Sequence, residues 1–292
     1  MNLITKSKLA GLVLAIALIF SGTAQEKYSV FLFLIVMLSI GIPHGSVDHL
    51  IAFVNPKARK FKNKFTFYLV YLSLILFNVL LWYFEPLLGL GVFLLVSCYH
   101  FGEAQIIGYN STKNKFLNFV IGANILLALF LNNINDIKEI LKDDIPQFTN
   151  LDLSAYDGTF FLLISVVILM ITIVNFDIKR KVPLYAEITI LYMCFYHFNL
   201  LTSFALYFGF CHSLPMLMLE YKALKKENFL KFYIKTLPFT ILSIVLGFLL
   251  YMFNDDILIS NNFENLILFV FVVISSLTLP HVFIMKDFVQ DK

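Results

Sequence analysis

Six histidines, His44, His49, His100, His197, His212 and His281, are the residues of this sequence best suited to chemistry. Each falls within or at the edge of a long apolar run, and none lies in a plainly solvated loop. An imidazole in hydrocarbon is costly unless it faces a partner, a cavity or a metal. Neutral imidazole suits Zn, Cu, Fe and Ni. A set of imidazoles with no carboxylate keeps a divalent ion positively charged and leaves positions open for a small molecule. No nucleophile elbow or phosphate loop accompanies them. The three cysteines, Cys98, Cys194 and Cys211, lack zinc-type spacing and read as packed core thiols.

The elements that must position these side chains are membrane helices. Of 292 residues, 60% are hydrophobic and 14% charged, against about 45–50% and about 25% in soluble domains. A mean hydropathy of +0.84 leaves no room for a large soluble domain. The formal net charge is +3, and no basic block forms a phosphate-binding face, so nucleic acid is not an expected partner. Apolar stretches at about 7–22, 29–53, 65–84, 88–109, 116–132, 159–177, 183–199, 201–221, 231–253 and 264–285 are each long enough to span a bilayer. The expectation is an all-α, polytopic membrane helix bundle of about ten transmembrane helices, forming a single integral membrane domain over residues 1–292. Residues 1–24 also have the look of a signal peptide, with Lys6 and Lys8 ahead of a short apolar core and Ser21-Gly22-Thr23-Ala24 behind it.

The loop charges alternate. Basic residues collect at Lys6 and Lys8, at Lys57, Arg59, Lys60, Lys62 and Lys64, at Lys113 and Lys115, at Lys179, Arg180 and Lys181, at Lys222, Lys225 and Lys226, and at Lys286. The stretch at about 133–158 is acidic, with Asp136, Glu139, Asp143, Asp144, Asp152 and Asp157. Every second loop is basic, which predicts a multi-pass protein of the cell membrane with both termini in the cytoplasm.

That sidedness converts sequence position into depth. At about 1.5 Å of rise per residue, His44 and His100 lie about 10 residues, roughly 15 Å, from the cytoplasmic ends of their spans, and His212 about 9 residues. Three separate helices therefore carry a histidine at one depth. His49 and His281 are expected in a second layer, roughly 6–8 Å nearer the cytoplasm. His197 belongs to neither and reads as an interfacial or packing residue. A single histidine could simply hydrogen-bond a neighbouring helix, but three at one depth favour a shared ion. Pro43-His44-Gly45 and Pro215, one turn after His212, signal broken helices, tolerated at this depth where backbone is buried in protein or lines a cavity. Asp48, Glu103 and Glu187 are the acidic residues most clearly inside spans. Glu103 is a candidate to orient His100, and Asp48 could equally be a helix-end carboxylate near water.

The motifs together resemble those of the Brp/Blh family of membrane β-carotene 15,15′-dioxygenases. Gly41-Ile42-Pro43-His44-Gly45-Ser46-Val47-Asp48-His49 looks like its G-x-P-H-G-x-x-D-H signature. Tyr99-His100-Phe101-Gly102 resembles its H-F-G-x-x-D motif, Phe210-Cys211-His212-Ser213 its H-S-x-x-H motif, and Leu279-Pro280-His281 its C-terminal P-H element. The four stand in the family's order across about residues 29–288. The resemblance implies cleavage of β-carotene at its central double bond with O2 to give two molecules of retinal. It implies Fe(2+) as cofactor, and carries metal-ligand roles onto His44, His100 and His212, with no catalytic residue beyond these ligands. The carotenoid would enter sideways from the bilayer, with Tyr99, Tyr207 and Phe210 as candidates for lining its path. Two positions depart from the pattern. Met216 stands where the third motif has a second histidine, leaving water, His281 or His49 as candidate fourth ligand. Gln105 stands where the second motif has Asp, and Glu103 could supply a nearby carboxylate instead. Rival readings are an intramembrane metal or proton transporter and a non-catalytic family member that binds carotenoid or retinal. A desaturase or hydroxylase is disfavoured, because no H-x-x-H-H cluster is present.

Overall fold

Backbone that crosses hydrocarbon must satisfy its own hydrogen bonds, which drives long apolar runs into helices. The computed structural model describes residues 3–22, 24–54, 61, 63–107, 109, 114–142, 145, 158–176, 178, 180–224, 228–252 and 263–290. Among these the elements are helical: α1 Leu3–Phe20, α2 Ala24–Val36, α3 Ile42–Gly45, α4 Asp48–Val54, α5 Lys64–Phe84, α6 Pro86–Ile106 and α7 Lys115–Asn132. Then come α8 Ile134–Leu141, α9 Gly158–Asn175, α10 Lys181–His197, α11 Leu200–Phe204, α12 Leu214–Ala223, α13 Phe229–Met252 and α14 Phe263–Gln290. Two π-helical segments, Met37–Gly41 and Ala205–Ser213, lie between α2 and α3 and between α11 and α12.

Seven helical stretches are long and apolar enough to cross a bilayer, which makes this a multi-pass membrane protein: Lys27–Phe53, Lys64–Phe84, Pro86–Ile106, Lys115–Asn132, Gly158–Asn175, Leu200–Ala223 and Leu266–Met285. The expected spans at 7–22, 183–199 and 231–253 correspond to α1, α10 and α13, which are helices outside that set of seven; α10 has 17 residues. Large apolar side chains stay exposed along these helices, such as Phe65 at 75% and Val182 at 78%, as a lipid-facing surface requires. Of the loop charges, Lys57, Arg59, Lys60, Lys62, Lys113, Lys179, Lys225, Lys226, Asp143, Asp144, Asp152 and Asp157 lie outside the described residues, as does the side chain of Lys286.

The helices sort into two compact units. The first comprises Met1–Gly41, Ser97–Ile137 and Leu151–Leu219. In it α1 packs on the π segment Ala205–Ser213, with Ala15, Phe198 and Leu206 as a buried nucleus flanked by Leu14, Leu18, Cys194 and Phe210. Helices α6 and α7 meet backbone to backbone. A Cβ on Gly102 would stand 1.7 Å from the Asn118 carbonyl oxygen, and one on Gly122 would stand 1.8 Å from that of Cys98. Only glycine permits this approach. Helix α7 also packs on α9, and α11 on α2.

The second unit comprises Ile42–Val96, Lys138–Asn150 and Glu220–Lys292. Its main seam joins α5 to α14. There Asn78 Nδ2 donates to Ser275 Oγ at 2.9 Å and Ser276 Oγ at 3.1 Å, while Trp82 Nε1 donates to Ser275 Oγ at 3.0 Å. Side-chain hydrogen bonds of this kind hold helices together where lipid removes the hydrophobic drive between them. Helix α13 packs on α3, and Thr240 Oγ1 donates to Ser46 Oγ at 3.1 Å.

Candidate metal centre

Two prolines shape the backbone around the histidines. Pro43 and Pro215 have no N–H to return to the carbonyl four residues back, and their rings clash with it. The chain relieves both clashes by widening into π-helix just upstream, at Met37–Gly41 and at Ala205–Ser213. At the end of the second segment, the Leu214 N–H reaches back five residues to the Gly209 carbonyl. Such segments cluster at functional sites because they re-aim the side chains they carry. His212 lies in the second π segment, and His44 follows the first by one turn. The helices are not broken at the two prolines: the stretches Lys27–Phe53 and Leu200–Ala223 run through them and change there from π-helix to α-helix.

In the first unit His100 and His212 are each 2% exposed, and their rings meet edge to face with centroids 4.7 Å apart. Aromatic residues wall this pair. The Phe101 ring lies 4.5 Å from His212 and the Phe208 ring 5.5 Å. Tyr207, 1% exposed, packs on Phe101 and Phe195 at 5.8 and 6.0 Å. The Tyr99 hydroxyl donates to Glu103 Oε1 at 3.0 Å. Phe210 packs in the core beside α1.

In the second unit His44 is 2% exposed, and its Nδ1 lies 2.9 Å from Oε1 of Glu220, which is fully buried. The His281 ring meets the His44 ring at 80° with centroids 4.4 Å apart. His281 Nδ1 donates to Asp48 Oδ1 at 2.7 Å, and the Tyr71 hydroxyl donates to Asp48 Oδ2 at 2.9 Å. This corrects two expectations. His281 does not sit in a lower layer: it touches His44. Counting depth at a uniform rise assumes unbroken helices, whereas the stretch around His44 carries a π segment and a break at Ser46-Val47. Asp48 is not a helix-end carboxylate near water, because it is 2% exposed and both its oxygens accept hydrogen bonds.

His49 does not join the other histidines. Its Nδ1 faces the Ser46 carbonyl at 2.8 Å and its ring lies 4.1 Å from that of Phe239. His197 is exposed and packs against Phe198. Gln105 donates from Nε2 to Glu187 Oε1 at 2.5 Å, Tyr109 donates to Glu187 Oε2, and Lys8 pairs with Glu187 at 2.6 Å. Gln105 is thus tied into a polar knot on Glu187.

One ring nitrogen from each of His44, His100 and His212 lies within 4.8 Å of the other two, and all three residues are buried. The donor set is uniform imidazole, and the wall of the His100–His212 pair is aromatic. The imidazole donors fit a transition-metal ion. Sequence reasoning missed Glu220, which sits in the last helical turns beside Lys222 and reads there as a helix-end charge.

Comparison with known proteins gives the family. Residues 35–288 match the family described as beta-carotene 15,15′-dioxygenase. A protein named beta-carotene 15,15′-dioxygenase, from uncultured marine bacterium 66A03, is 27% identical over 264 residues, covering 88% of this chain and 92% of that protein. No solved structure matches. The matched stretch holds all four motifs and every histidine discussed above, and the chain belongs to the beta-carotene 15,15′-dioxygenase family of carotenoid-cleaving enzymes.

Proposed function

We propose that this protein cleaves β-carotene, or a related carotenoid, at the central double bond with O2 to give retinal, using Fe(2+) held by His44, His100 and His212. The observation that carries this reading is the approach of three buried imidazole nitrogens to within 4.8 Å of one another, in a chain of this family. Burying three histidines in an apolar bundle is expensive without a common ligand. Bound iron would supply the activation of O2 that carbon–carbon cleavage requires.

The protein's own part is positioning and exclusion. Glu220, with Oε1 2.9 Å from His44 Nδ1, sets a buried carboxyl group beside that ring and helps hold it in place. Phe101 and Phe208, packed against the His212 ring, keep water from that side and offer a flat apolar wall for a polyene. A carotenoid is about as apolar as lipid, so it partitions into the bilayer and enters laterally between helices. In this reading the protein lies in the cell membrane with both termini in the cytoplasm, following the basic loops.

The test is expression in bacteria that accumulate β-carotene. Loss of orange colour together with retinal in the extract is the expected result. Persistent colour with the protein folded and iron-loaded would refute the cleavage reading, and products other than retinal would refute the central position.

A further inference from the structure

We propose that His281 is a fourth protein ligand of the iron, doing in this chain what an imidazole at position 216 would otherwise do. The inference rests on the three-histidine centre proposed above and deepens it. His281 lies outside the three-nitrogen group, but its ring touches that of His44 edge-on, with centroids 4.4 Å apart. It is 4% exposed.

Its surroundings are those of a metal-bound imidazole. A ligating histidine commonly gives its second ring N–H to a carboxylate, which fixes the tautomer and raises the basicity of the ligating nitrogen. His281 Nδ1 meets Asp48 Oδ1 at 2.7 Å, and an ionised carboxylate only accepts, so the proton is on Nδ1 and the lone pair on Nε2. Asp48 is itself held by the Tyr71 hydroxyl at 2.9 Å. Both Asp48 oxygens are therefore engaged, which makes Asp48 a positioning residue and not a ligand. At His44 an oxygen of Glu220 also lies 2.9 Å from Nδ1, within ion-pair reach but not aligned as a hydrogen bond. His281, held by its carboxylate at Nδ1, thus keeps Nε2 as its coordinating nitrogen, beside the ring of His44.

The competing candidates are weaker. His49 places Nδ1 on a backbone carbonyl and its ring on Phe239, and it is half-buried. Met216, 1% exposed, offers a thioether, a soft donor poorly matched to ferrous iron.

The experiment counts imidazoles on the iron by X-ray absorption and measures iron affinity by chelator competition. It uses full-length protein purified in detergent, as wild type, His281→Ala, His281→Gln and the double variant His281→Ala/Met216→His. Wild type should show four imidazoles. Both single variants should show three, with affinity lower by about tenfold or more. Position 216 is one turn from His212 on the same face, so the double variant should regain the fourth imidazole and most of the affinity. A wild-type count of three overturns the inference without recourse to any variant. So does a single variant that keeps the wild-type count and affinity. Wild type that holds no stoichiometric iron overturns the three-histidine centre as well, and that outcome is separate from the other two.

Discussion

Replacing Gly102 by alanine should unseat the helix that carries His100. The new Cβ would stand 1.7 Å from the Asn118 carbonyl oxygen and 2.7 Å from both the Asn118 carbonyl carbon and the Gly122 nitrogen. These are backbone atoms, so no side chain can swing aside. Restoring ordinary contact at roughly 3.4 Å requires α6 and α7 to part by well over 1 Å. Overpacking of this kind costs about 1–3 kcal/mol and sometimes more. Alanine gains only about 0.5–1 kcal/mol in helix propensity, so with a backbone-on-backbone clash at the upper end of that range steric repulsion wins by about 2 kcal/mol. At roughly 2–4 °C per kcal/mol, the melting temperature in detergent should fall by at least about 4 °C. Gly91 lies on the same helix, and a Cβ there would meet nothing within 4 Å. Gly91→Ala should therefore melt at or slightly above the wild-type temperature. His100 lies two residues from Gly102, so Gly102→Ala should also lower bound iron. Equal melting temperatures for the two variants would refute the backbone-contact argument.

Three further outcomes follow from the geometry. Asn78→Leu removes two hydrogen bonds to Ser275 and Ser276 from the α5–α14 seam; at about 0.6 kcal/mol each, thermal unfolding should show a loss near 1 kcal/mol, and an unchanged transition would mean the seam holds by packing alone. Glu220→Gln keeps the size of the group beside His44 Nδ1 but removes its charge; iron affinity by chelator competition should drop by about tenfold or more, and an unaltered affinity would remove Glu220 from the support of His44. His49→Ala should leave iron content at the wild-type level, because that ring packs on Phe239; metal analysis showing loss would reverse its exclusion from the site.

The helical architecture was legible because hydropathy reports it directly. Pro43 and Pro215 mark departures from regular α-helix, and the structure has π-helix just ahead of both, though the helix runs on. The grouping of His44, His100 and His212 was expected from similar counted depths on separate apolar runs, and one ring nitrogen from each does lie within 4.8 Å of the other two. What failed was depth counting across a broken helix, which sent His281 to the wrong layer. Glu220 was missed because a carboxylate in a last helical turn looks solvated until another element covers it. The knot in which Gln105 and Lys8 both meet Glu187 joins residues 82 and 97 positions from Gln105 along the chain, Glu187 and Lys8 respectively. Local pattern holds no trace of such a contact. Gly102 stands in the second motif, but its partner Gly122 emerges only when two helices are brought together.

The central claim is that His44, His100 and His212 hold one iron ion. Iron analysis of purified wild type and of His44→Ala, His100→Ala and His212→Ala tests it most directly. Wild type should retain about one iron per chain, and each variant, confirmed as folded by its helical circular dichroism, should retain almost none. A folded variant that keeps the wild-type iron content would strike that histidine from the ligand set and contradict the account.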